Sequence, residues 1–150
     1  MLFHRLLACI SLIWLGMILG ISFLQAPVKF MAPSVTREIG LDIGRYVFGV
    51  FNKVECALAI VMAILVVIIR QKGRQLILPG VVWWSLALQT FWLLPFLDER
   101  TGLILQGQTP TPSHLHTVYI VLEVLKSVAL AVYGFRAFGG RKKEKHPMVF

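Results

Sequence analysis

The chain has 150 residues, 57% of them hydrophobic, with a mean hydropathy of +0.77, too apolar for an ordinary soluble domain of this length. Its net charge of +8 does not point to nucleic acid, because the basic residues sit in short segments beside apolar runs and no folded basic domain remains to present them. The expectation is an all-α, four-transmembrane-helix bundle over residues 1–138, followed by a basic tail, 139–150.

The first predicted helix covers 5–25. Gly16 and Gly20 form a GxxxG pair, a spacing that lets a second helix approach closely. The expected partner is within the chain, and the pair is also compatible with a homo-oligomer. Gln25-Ala26-Pro27 ends this helix in the sequence reading, because proline lacks a donor and disfavours helix in the residue before it. The Pro27–Pro33 segment is too apolar for a freely solvated loop and is expected at the interface or folded against the bundle.

The second helix, 36–70, is the longest. Ser34 or Thr36 can cap it, with Glu38 in the first turn. Asp42, Arg45, Asn52 and Glu55 recur along it at helical spacing. The third helix covers 78–97 and is expected to leave the membrane at Pro95; Trp83, Trp84 and Trp92 suit interface belts, and Gln89 and Thr90 are the strongly polar groups of its interior. A polar connection over Asp98–Ser113 follows. The fourth helix, 114–137, aligns His116, Tyr119, Glu123 and Lys126 on one face.

Lys and Arg concentrate between the second and third helices and after the fourth, with Arg5 at the start of the first, which puts both termini in the cytoplasm of an inner-membrane protein. The expected partners are the lipid bilayer and, for the basic tail, anionic lipid. A small-molecule ligand is left unidentified.

Charge inside a spanning helix costs on the order of 2.5–3.5 kcal/mol per residue at the centre, so it is normally paired. Asn52, Lys53, Glu55, Glu123 and Lys126 form the candidate polar cluster at comparable depth, with Lys53 expected to point almost opposite to Glu55, nearer the outer interface, where it snorkels or pairs elsewhere. It either locks the second and fourth helices or lines a small-solute or proton site, with Asp42, Arg45, His116 and Tyr119 as its outer vestibule. His114 and His116, two apart, point to different sides of a helix and do not make a metal site. No nucleotide loop, HExxH, nucleophile elbow or CxxC motif occurs, and no cofactor is expected.

The succession Trp14-Leu15-Gly16, Gly20, Phe23-Leu24-Gln25-Ala26-Pro27, then Gly44-Arg45-Tyr46 and Phe51-Asn52-Lys53-Val54-Glu55, resembles the small four-helix membrane proteins related to transmembrane protein 205, a group with many bacterial members. That resemblance implies an α-helical membrane protein and carries no reaction. Arg45, Asn52 and Glu55 are also similar to the second-helix pattern of the membrane-associated glutathione and eicosanoid enzymes, with Phe48 where a further arginine is expected. A glutathione-transferase-like enzyme is therefore the alternative to a non-enzymatic role.

Overall fold

The computed structural model describes residues 2–139; residues 140–150, most of the basic tail, lie outside the described residues. The chain forms four helices, each long and apolar enough to cross a membrane, and no strand among the described residues. They are α1 (Leu2–Met31), α2 (Arg37–Ile68), α3 (Gly73–Leu105) and α4 (Leu115–Gly139). Short connections make successive helices antiparallel. α4 packs on α1 and α3, and α2 packs on the same two, so α2 and α4 face each other across a diagonal. The start of α1, the end of α4 and the 69–72 connection share one end, called terminal here; the 32–36 and 106–114 connections form the distal end.

Local chemistry sets the helix ends. Thr36 is extended and its Oγ1 accepts the amide of Ile39 at 3.3 Å, capping α2. α2 closes with Arg70 in the left-handed region, φ 57°, while Arg70 N donates to Val67 O and Gln71 N to Val66 O. Gly107, φ 78°, closes α3 with the same pair of bonds, from Gly107 N to Ile104 O and Gln108 N to Leu103 O. Both ends are thus sealed by the two-bond cap that satisfies the last free carbonyls.

Two expected helix ends are not ends. α1 runs through Pro27 to Met31, and α3 runs through Pro95 to Leu105, so Asp98 to Leu105 is helical and not part of a loop. Each proline is preceded by a π-helical stretch, Leu19–Gln25 in α1 and Gln89–Leu93 in α3. There the amide of Ala26 bonds to Ile21 O and that of Leu94 to Gln89 O, five residues back. Widening the turn moves aside the carbonyl that a proline ring would otherwise strike, and the helix survives. A proline interrupts a regular α-helix; it need not interrupt one that has already widened.

Among the described residues nothing approaches Gly16 and Gly20 as expected: a Cβ at either would meet no atom within 4 Å. The small-residue contact lies at Gly134 on α4, where a Cβ would stand 2.9 Å from Leu12 Cδ2 on α1. Phe30 folds back onto Gly40, as the apolar Pro27–Pro33 segment suggested.

Packing divides the bundle along its length. The terminal half is a close-packed core including Leu7, Met62, Val66, Val82 and Leu130, tied at its edge by Tyr133 Oη donating to Gln71 Oε1 at 2.6 Å. The distal half encloses a cavity of about 830 Å3. Outward, large apolar side chains stay exposed on every helix, including Leu24 at 64%, Val67 at 73%, Phe91 at 83% and Phe135 at 66%. Continuous apolar surface of this kind calls for an apolar surrounding.

Candidate functional site

A polar layer separates the packed half from the cavity, and all four helices supply it. Its centre is Lys126, with no exposed surface. An ammonium has three protons to donate, and here they meet three acceptors: Glu55 Oε1 at 2.6 Å, Gln89 Oε1 at 2.7 Å and Glu123 Oε1 at 2.8 Å. Glu123, one turn before it on α4, also accepts Gln89 Nε2 on Oε1 at 2.7 Å and Ser22 Oγ on Oε2 at 3.0 Å. Glu55 accepts Trp14 Nε1 on the same Oε1 at 2.9 Å. Its Oε2 is buried and has no partner among the described residues.

Gln89 links the charges through both ends of its amide, a neutral bridge between a group that can only donate and one that accepts. This fixes which end faces which. The π-helical stretches supply two of the neutral members, Ser22 from α1 and Gln89 from α3. Thr90, beside Gln89, donates to Leu86 O and accepts Asn52 Nδ2 at 2.9 Å, joining α2 to α3 next to the ion pairs.

With both glutamates ionised, the three charged groups sum to one negative charge. Their attraction offsets the cost of taking ions out of water only where the hydrogen bonds are complete. They are complete on Lys126 and Glu123 and incomplete on Glu55.

Glu123 also lines the base of the distal cavity, together with Ser22, Asn52 and Thr90, whereas Glu55, Gln89 and Lys126 lie beneath it. Phe48 and Tyr119 form an edge-to-face pair in the wall, with centroids 5.5 Å apart. At the mouth, Arg45 lies between Asp42 and Asp98, 3.4 and 3.5 Å away.

Of the five residues expected to cluster, Glu55, Glu123 and Lys126 meet directly, and Asn52 sits alongside through Thr90. Lys53 does not join them: it is exposed on the opposite face of α2, two residues from Glu55. Of the expected vestibule, Arg45, His116 and Tyr119 line the cavity; Asp42 stands outside its lining and acts only on Arg45. Sequence reasoning passed over Trp14, Ser22 and Gln89 as members of the site. Gln89 carried the clearest signal, an amide midway along an apolar helix. Trp83 belongs inside the bundle and not in a belt, half-buried with Nε1 donating to Ala59 O at 3.3 Å.

No family model matches the chain, nor does any curated protein or solved structure.

Proposed function

We propose that the chain is an integral membrane protein, non-enzymatic, whose distal cavity receives a small solute above a floor that can exchange a proton. The observation that carries this reading is the double membership of Glu123, which lines the cavity and shares Lys126 with Glu55. Net negative charge in the layer, with a bare oxygen on Glu55, leaves room for one proton whose presence would neutralise the buried set. The terminal half is close-packed and the cavity opens at the distal end, so exchange is with the distal side, as in a sensor or one state of a carrier. A structural lock alone does not call for an 830 Å3 cavity over one of its carboxylates.

The glutathione-transferase-like alternative requires Arg45, Asn52 and Glu55 to face one ligand. Glu55 is committed below the cavity to Lys126 and Trp14, and Phe48 faces Tyr119, so the solute-site reading is preferred.

Infrared spectra of the protein in nanodiscs, titrated with acid, test the proposal. A protonated-carboxyl absorption that titrates and is lost in Glu55→Gln is expected. Its absence throughout the pH range of the folded state would show both carboxylates permanently ionised and reduce the layer to a lock.

A further inference from the structure

The mouth of the cavity carries a cation whose surroundings differ from those of the other charges in the site. Lys29 lies near the distal end of α1, and its Nζ turns inward, over the rings of Phe30 at 5.1 Å and Phe48 at 5.8 Å. Gly44 on α2 makes the space: a Cβ there would stand 2.5 Å from Nζ. No carboxylate lies within 4.0 Å of that ammonium among the described residues. A lysine at a membrane boundary usually turns outward to water and headgroups, and this one occupies the cavity instead.

The other charges are already answered. Arg45 has Asp42 and Asp98, and Glu123 has a donor on each oxygen. At the floor, Asn52 and Thr90 bond to each other. Between mouth and floor the lining is mainly apolar, with Phe23, Leu41, Phe48, Leu94 and Ile120, beside the polar side chains of Thr101, His116 and Tyr119. The cavity volume of about 830 Å3 falls within the roughly 300–1,000 Å3 of sites that enclose a small organic molecule.

From these features we infer that the cavity binds a single-chain amphiphile with an anionic head, a carboxylate or phosphate held by Lys29 at the mouth, its chain lying along the apolar walls above the Glu123 floor. Charge complementarity selects the head: the unanswered group is a cation, and a cationic amphiphile would meet Lys29 at the entrance and a fully partnered Glu123 at the base. The apolar walls select the chain, because a free inorganic anion would leave them without contact. This inference rests on the reading of the cavity as a solute site and adds the chemical class of the solute.

Equilibrium binding of radiolabelled dodecanoate to the full chain in phosphatidylcholine nanodiscs, with empty nanodiscs subtracted, tests it. Saturable binding is expected, displaced by dodecyl phosphate and not by dodecanol, dodecyltrimethylammonium or inorganic phosphate. Lys29→Gln should weaken dodecanoate about tenfold, equivalent to about 1.4 kcal/mol, and Lys29→Arg should restore most of it. A matching thermal unfolding midpoint for both variants separates loss of the head contact from loss of fold. Equal affinity in wild type and a folded Lys29→Gln overturns the proposal. Preferential binding of dodecyltrimethylammonium overturns the anionic class while leaving a solute cavity in place. No saturable binding of any of the amphiphiles overturns the inference and removes the support for the cavity as an amphiphile site, whereas the infrared titration tests the proton separately.

Discussion

Lys126 on α4 reaches Glu55 on α2 at 2.6 Å across the diagonal of the bundle, between two helices that share no extended packing. The neighbouring helices cannot fix this distance without fixing one another, so one buried ion pair ties together the placement of all four. Trp14 and Gln89, from the two helices between, close the ring of hydrogen bonds around it.

Lys126→Ala is expected to destabilise the protein by about 3–5 kcal/mol, the usual cost of removing one partner of a buried pair and stranding the other. Replacing Lys126 by Met together with Glu123→Gln should recover part of that loss, although Glu55 would be left without its cation. Double-mutant cycles in detergent should find Lys126 coupled to both Glu55 and Glu123. Coupling near zero for both would show that the pair contributes nothing to stability.

Trp14→Phe keeps an aromatic ring in a fully buried position while deleting the Nε1 donor to Glu55. Hydrogen bonds to charged groups contribute about 1.5–3 kcal/mol, and a loss of that size is expected. Thermal unfolding in detergent measures it; an unchanged midpoint would mean that Glu55 does not depend on the indole.

Gln89→Leu is close in volume but strips Lys126 of one acceptor and Glu123 of one donor. Each buried group left unsatisfied costs about 1–3 kcal/mol, so this variant should be less stable than Gln89→Glu combined with Glu123→Gln, which keeps a carboxylate and an amide in contact. Equal stability of the two would argue that polar matching at this position is immaterial.

Gly134→Ala is expected to destabilise by about 1–3 kcal/mol, the typical cost of overpacking, because the new methyl meets Leu12 across the α1–α4 contact. Gly16→Ala and Gly20→Ala, which point into open space, should be neutral or slightly stabilising through helix propensity. Thermal midpoints in detergent settle the order, and the reverse order would show that the GxxxG face has a partner outside the chain.

Orientation in the bilayer is tested separately. We propose from the placement of basic residues that both termini and the 69–72 connection lie in the cytoplasm. Reporter fusions at Gln71 and Phe150 should signal cytoplasm and one at Gln106 the exterior. A cytoplasmic signal at Gln106 would overturn the four-span topology.

The sequence by itself determined the helix count and the choice of Glu55, Glu123 and Lys126, because a run of apolar residues admits few structures and a charge within it demands a partner. A cap for α2 at Ser34 or Thr36 was legible for a local reason, and the structure selects Thr36, whose side chain answers an amide three residues away. Tertiary structure decided the rest. Whether Pro27 and Pro95 end their helices depends on the π-helical turns before them, which neighbouring helices must stabilise and which no local propensity announces. Glycine spacing permits close approach without naming which glycine is approached, so Gly134 and not Gly16 meets another helix. The roles of Trp14, Ser22 and Gln89 exist only once α1 and α3 stand on either side of the Glu55–Lys126 diagonal. A hydrogen bond between residues as far apart in the chain as Ser22 and Glu123 is a property of the packed bundle, which sets the distance, and not of either helix alone.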